Sequence, residues 1–303
     1  TDVWRVYHVE RTQDVIRVLG SHRGSVRELR VSPEGDYIAT VGTDGNCRVW
    51  NTASSAAAPL ILSVPGGGDD RGAAAFLDDG AHIACGGTGV VDIVSLRDGT
   101  LVRRIPDRQH DMLYEGSDFQ TLGKTLKESR ILSLDARPGG RHLLVGTDSG
   151  VMEIDYLRCR IMWRQKERVG PIATLVRYLP DGEQFIVQDD SCRLTLYAGH
   201  KSVWSIRPGE SGPGGRGLVK LTAAEFTNDS AYLAALGSDG SFRVLRLSDQ
   251  KVVQELAPGK LDTAGLALSL ERASAWVGSQ GNVERFTRLA LPREMTSPKV
   301  AID

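Results

Sequence analysis

The sequence predicts an all-β fold of repeated four-stranded antiparallel units, and three observations predict it. Six segments of the chain superimpose, strand-type alternation fills them, and helical periodicity is nearly absent. The segments are SPEGDYIATVGTDG from Ser32, FLDDGAHIACGGTG from Phe76, RPGGRHLLVGTDSG from Arg137, LPDGEQFIVQDDSC from Leu179, TNDSAYLAALGSDG from Thr227 and, more weakly, SLERASAWVGSQG from Ser269. Each holds a tight turn, a short apolar strand and a second turn. Measured on that second turn, the landmarks Asp44, Thr88, Asp148, Asp190, Asp239 and Gln280 lie 44, 60, 42, 49 and 41 residues apart. Most of these spacings are close to the roughly 40 to 45 residues of a β-propeller blade.

The first unit shows why each element should form. Val26 to Val31, VRELRV, alternates apolar and polar as a half-buried strand does. Pro33, Glu34 and Gly35 supply turn chemistry, and Tyr37 to Val41 is an apolar run. Asp44 and Gly45 make a hairpin turn, Cys47 to Trp50 the third strand and Leu60 to Val64 the fourth. Four strands cannot bury both faces of their own sheet; stacking such sheets radially does so and leaves few open edges.

The N-terminal VWRVYHVERTQDVIRVLG aligns with the last two strands of a unit, RVYHV with FRVLRL and DVIRVL with KVVQEL. The tail LALPREMTSPKVAID is too short to complete that unit. The expectation is one propeller over residues 1–303, with seven blades, the first only partly encoded by residues 1–20 and completed outside this chain. Six blades with an extra N-terminal strand is the competing count. The chain starts at Thr1 rather than Met, so the reading also expects an excised or processed piece of a longer protein.

Ser21-His22 and Trp50-Asn51 stand where the WD-repeat β-propeller family carries Gly-His and Trp-Asp, and residues 22–51 resemble one repeat of that family. At the Trp50 position the other units have Val94, Ile154, Leu196, Leu245 and Phe286, apolar as blade packing requires but unable to donate an indole hydrogen bond. The resemblance implies that His22, Thr40, Asp44 and Trp50 form a structural tetrad, with indole donating to hydroxyl, hydroxyl to imidazole and imidazole to carboxylate. This blade alone should be bolted in that way. As a hydrolytic triad the same residues lack a strained nucleophile turn, because Thr40 lies inside an apolar strand and no GxSxG occurs.

Composition removes other classes. With 37 Lys plus Arg against 38 Asp plus Glu, the net charge of −1 favours neither nucleic acid nor an anionic membrane. No apolar run long enough to span a bilayer and no signal-peptide order is present. Cys47, Cys85, Cys159 and Cys192 are too dispersed for a zinc site and read as reduced thiols. GGGDDRG at 66–72 lacks the GK[ST] ending of a phosphate loop, and Asp69-Asp70 and Asp189-Asp190 lack calcium-loop spacing. No cofactor or metal is expected.

The 60-residue spacing marks an insertion at 107–129, DRQHDMLYEGSDFQTLGKTLKES, between two blades. Tyr114 and Phe119, with Met112, Leu113 and Leu122, stand among Lys124, Lys127 and Arg130, and mix apolar anchors with charge as interaction surfaces do. A cap that buries its own apolar residues fits the same composition. A second loop, 207–220, is rich in Gly and Pro.

The functional expectation is a non-enzymatic protein-interaction scaffold in the cytoplasm. The implied half blade resembles joined propellers of the echinoderm-microtubule-associated-protein-like and centriolar or ciliary WD-repeat types, which implies tubulin or axonemal and centriolar partners and a cytoskeletal assembly. The alternative is an enzyme or small-ligand propeller whose turn carboxylates Asp44, Asp148, Asp190 and Asp239 converge on a central funnel. A reader of modified lysine ranks last, because only 6% of residues are aromatic.

Overall fold

A computed structural model describes residues 4–9, 16–23, 26–52, 58–64, 72–106, 122, 125–127, 129–165, 171–206, 219–256, 263–269, 274–279 and 286–290. All the named elements are strands. β1 (Trp4–Val9) and β2 (Ile16–His22) pair as a two-stranded sheet. The first four-stranded sheet is β3 (Val26–Val31), β4 (Tyr37–Gly42), β5 (Asn46–Asn51) and β6 (Leu60–Ser63). The second is β7 (Ala73–Phe76), β8 (His82–Gly86), β9 (Val91–Ser95) and β10 (Leu101–Ile105). The third is β11 (Ile131–Ala136), β12 (His142–Thr147), β13 (Gly150–Asp155) and β14 (Arg160–Arg164). Then come β15 (Ala173–Tyr178), β16 (Gln184–Asp189), β17 (Leu194–Ala198) and β18 (Lys201–Ile206), followed by β19 (Leu221–Phe226), β20 (Tyr232–Gly237), β21 (Phe242–Arg246) and β22 (Lys251–Leu256). A three-stranded sheet, β23 (Thr263–Ser269), β24 (Ser274–Ser279) and β25 (Phe286–Ala290), ends the described chain.

The sheets are meanders, each strand hydrogen-bonded to the next in sequence, so this is an all-β propeller architecture of four-stranded antiparallel blades. The blade count is corrected. Five sheets have four strands among the described residues, not seven or six, because the β1–β2 pair gains no further strand and the sheet that ends in β25 stops at three. The chain divides into two compact units, residues 1–178 and 179–303.

In the first unit, one buried cluster joins the first and second sheets through Val41, Val49, Phe76 and Ile83, and another joins the second and third through Ala84, Ile93, Leu134 and Val145. Burying these strand faces is the main favourable term for the fold. At the positions that match Trp50, Val94 is 6% exposed, Ile154 0%, Leu196 5% and Leu245 2%, as blade packing demands. Leu122 and Leu126 are fully buried and belong to the second cluster, while residues 125–126 form a short helical turn. The C-terminal part of the 107–129 insertion therefore packs on the core, and Leu122 is no exposed anchor. Met112, Leu113, Tyr114, Phe119 and Lys124 lie outside the described residues.

A small residue recurs where a neighbouring segment approaches closely. Gly42, Gly86, Gly146 and Gly237 each stand two residues before a turn landmark. A Cβ added at Gly42 would lie 2.2 Å from His22 Nδ1, at Gly86 2.8 Å from Ile131, at Gly146 2.9 Å from the Ala173 carbonyl and at Gly237 2.4 Å from Val219. Gln188 occupies the matching position of the β15–β18 sheet and uses its side chain instead. Its Oε1 accepts from Leu221 N at 2.7 Å and its Nε2 donates to Val219 O at 3.0 Å.

Candidate functional site

His22 ends β2, Thr40 lies in β4 and Asp44 begins the turn into β5, so three separate segments bring their side chains together. His22 Nδ1 is 3.0 Å from Asp44 Oδ1, and His22 Nε2 is 2.7 Å from Thr40 Oγ1. Burial, the largest influence, depresses the His22 pKa below 6.5, and the Arg48 charge adds to it against the opposing pull of Asp44. The ring is therefore neutral and carries one proton. An ionised carboxylate only accepts, so Nδ1–H donates to Asp44 and Nε2 accepts from the Thr40 hydroxyl.

Burial disfavours ionised Asp44, but hydrogen bonds from His22, Arg48 and the Arg23 backbone N–H outweigh it and hold the carboxyl well below the usual carboxylate range. Arg48 Nη1 donates to Asp44 Oδ2 at 2.7 Å and Arg23 N to the same oxygen at 3.1 Å. Arg48 also touches His22 Nδ1. A ring nitrogen whose proton points at Asp44 has no lone pair to offer, so that contact is electrostatic. Arg48 is a member of the cluster that sequence reasoning missed. Its signal was available, because Arg48 is the residue that faces Thr40 across the β4–β5 hairpin.

The expected indole bond is not made. The register sets Trp50 opposite Ile38, not Thr40, and Nε1 is buried without a hydrogen-bond partner among the described residues. The indole instead packs on Ile38 and Leu29 and meets the His22 ring edge-on, with centroids 6.0 Å apart at 70°. The first blade is also not alone in being tied at this level. Asp148 Oδ1 and Oδ2 accept from Arg130 N at 3.0 Å and Arg130 Nε at 2.8 Å, a carboxylate in the same turn serving the same entering segment. Arg130, expected on an interaction surface, makes this ion pair while 45% exposed, and Lys127 is exposed as well.

The other turn carboxylates act locally. Asp239 Oδ1 accepts from Ser241 N at 3.0 Å. Beside Asp190 it is Asp189 that caps the turn, accepting from Ser191 Oγ at 2.6 Å and Arg193 N at 2.9 Å. No group of three or more His, Cys, Asp or Glu suited to a metal occurs among the described residues.

A second constellation lies on the first strands of four sheets within the first unit. Glu28 and Arg30 come from β3, Asp135 from β11 and Arg177 from β15. Arg30 Nη2 donates to Asp135 Oδ1 at 2.9 Å and to Leu134 O at 2.6 Å, and its Nε lies 3.2 Å from Glu28 Oε1. Arg177 Nη2 reaches Glu28 Oε1 at 3.2 Å, its Nη1 reaches Ser133 Oγ at 3.1 Å, and Glu28 Oε2 accepts from Ala74 N of β7 at 3.0 Å. Two carboxylates meet two guanidiniums, each side chain is at most 18% exposed, and the formal charges cancel.

Residues 13–51 match the family model described as WD domain, G-beta repeat. The match covers one repeat, and the repeated four-stranded sheets show the propeller fold around it. No curated protein matches it.

Replacing Thr40 with valine keeps the shape and removes the hydroxyl proton from His22 Nε2. The expected loss is about 1 to 2 kcal/mol in urea unfolding. An unchanged midpoint and slope would mean that this hydrogen bond contributes nothing.

The pH dependence follows from the two shifts. His22 has its folded pKa below 6.5, so the unfolded chain binds the proton first, and stability present above 6.5 is lost as pH falls through that value. Asp44 acts in the same direction lower down, because its contribution is present above the unfolded carboxylate pKa and is lost towards its depressed folded value. Unfolding free energy should fall between about pH 7 and about pH 5, and His22→Gln should flatten that slope. Equal slopes in the two proteins would contradict a neutral, buried His22.

Proposed function

We propose that the chain is a non-enzymatic protein-interaction scaffold. The charged groups at the inner strands are what carry this reading. Glu28, Arg30, Asp135 and Arg177 pair with one another rather than leaving a carboxylate or histidine facing substrate, and WD-repeat propellers generally bind other proteins. The His22–Thr40–Asp44 cluster serves as a bolt between the entering segment and the first blade. Its hydroxyl is 0% exposed and donates to a ring whose other nitrogen is held by a carboxylate, so it has no approach to a substrate.

The narrower reading is a cytoskeletal assembly with tubulin or axonemal and centriolar proteins as partners, in the cytoplasm. Its supports are the resemblance to joined propellers and the free thiols of Cys47, Cys85, Cys159 and Cys192. Co-sedimentation with assembled microtubules tests it: the intact chain pellets with the polymer, and a chain left in the supernatant at every tubulin concentration refutes it.

Residues Tyr114, Phe119 and Lys124 remain our choice for partner contacts in the insertion. Substituting all three with alanine should reduce the recovery of cross-linked protein partners by about tenfold while leaving the unfolding midpoint in place. Full recovery would remove the insertion from the interface.

A further inference from the structure

We infer that the outer edge of β10 is a docking site for an acidic, extended peptide that adds as a fifth strand. This rests on the scaffold reading and gives that scaffold a partner chemistry. β10 is the terminal strand of its sheet and, among the described residues, pairs only with β9, so one row of its backbone groups has no strand partner there. Leu101 and Val102 are 52% and 55% exposed on it, and Leu157, on the turn after β13, is 52% exposed. Arg103 Nη1 donates to Leu157 O at 2.8 Å and reaches Cys159 Sγ at 3.4 Å, which places that turn against the strand. Leu157 is thereby placed beside Arg103, and Leu101 and Val102 stand exposed on the same strand.

Arginine predominates on this surface. Arg104 is taken by Asp92 through two contacts of 2.8 Å. Arg103, Arg158 and Arg160 have no carboxylate partner among the described residues, and Arg164, which donates to Thr125 Oγ1 at 3.2 Å, carries the basic strip towards exposed Lys127. The nearest acid on β10's own hairpin, Asp98, is engaged by Thr100 N and Oγ1. The other outer strands of the first and fourth sheets read LILS and KSVWSI and offer no arginine.

Arginines at a sheet edge keep neutral and basic strands from pairing there. An acidic strand neutralises that charge, gains main-chain hydrogen bonds along β10 and can set alternate apolar side chains on Leu101, Val102 and Leu157. The features that protect this edge from self-association thus select its occupant. A phospholipid surface would also meet arginine and leucine, but it has no use for a row of unpaired strand amides.

The test uses the full chain and a fluorescein-labelled peptide of about eight residues that alternates Glu and Val, with a Lys-Val peptide as control. Fluorescence polarisation should show the acidic peptide binding at least about tenfold more tightly than the basic one, with affinity falling as salt rises. Hydrogen exchange should slow at the amides of β10. Val102→Glu and Arg158→Glu, both at exposed positions, should each weaken binding by about tenfold without moving the unfolding midpoint. Equal binding of the two peptides, protection elsewhere on the chain, or binding to phosphatidylserine vesicles without peptide binding overturns the site. The scaffold reading is judged separately by the recovery of cross-linked partners, which these variants would leave intact if only the edge site is wrong.

Discussion

Asp135→Ala is expected to lower the unfolding free energy by about 3 kcal/mol. Asp135 accepts from Arg30 Nη2 at 2.9 Å and from the Tyr178 backbone N–H at 2.7 Å, so its removal leaves the buried cluster one positive charge in excess and orphans an amide. Glu28 already holds both Arg30 and Arg177 and cannot compensate the extra positive charge. The loss should be felt across β3, β7, β11 and β15 together, since side chains or backbone groups of all four meet in this cluster. Pairing the change with Arg30→Met removes the excess charge, so the double variant should lose less than the sum of the singles. Urea unfolding of the four proteins measures this. A single-variant loss below about 1 kcal/mol, or strict additivity, would mean the cluster is solvated rather than structural.

Gly42→Ala should cost a similar amount, about 3 kcal/mol, by a different route. The added methyl would sit 2.2 Å from His22 Nδ1 and 2.7 Å from Asp44 Oδ1, inside the hydrogen bond that joins them. Nothing flexible lies there to yield, because His22 is held on its other side by Thr40. The variant should unfold at lower urea and lose most of the pH dependence assigned to His22. Gly35→Ala is the control. Its added Cβ would meet nothing within 4 Å, so only the cost of its positive φ of 80° remains, about 1 kcal/mol. Equal losses at the two glycines would show that crowding at His22 is not the cause.

Much of the blade was legible in the sequence because its determinants are local. Alternation in VRELRV and the Asp-Gly turn specify β3 and the β4–β5 hairpin; β3 has the expected bounds, and β4, β5 and β6 differ from theirs by one residue at one or both ends. The central cluster was not legible, since its members lie 104, 105 and 149 residues apart and each reads singly as a solvated charge on a strand. A signal existed in retrospect. Asp135 and Arg177 stand fifth in their first strands, the position that Arg30 holds in VRELRV, with Glu28 two residues before it. The blade count failed for the opposite reason: alignment of strand patterns says which residues can form strands, but not which sheet they join. At the bolt, residue identity suggested an indole bond, but Trp50, which shares a sheet face with Thr40, keeps its Nε1 without a partner among the described residues and packs on Ile38 and Leu29 instead.

The exchange of Gly for Gln188 shows how one requirement is met in two ways. Where glycine lets a neighbouring segment approach, packing makes the tie; where Gln188 stands, its amide supplies both a donor and an acceptor to residues 219 and 221. Counting glycines alone would therefore have missed a blade.

The central claim is that His22 and Asp44 form a structural bolt in an interaction scaffold rather than part of a catalytic site. A double-mutant cycle on His22→Ala and Asp44→Ala, read by urea unfolding at neutral pH, tests it most directly. The account predicts single losses of about 1 to 3 kcal/mol and a coupling of about 1 kcal/mol or more, with partner recovery unchanged in all three variants. Variants as stable as the parent, with no coupling and with partner recovery abolished, would contradict it.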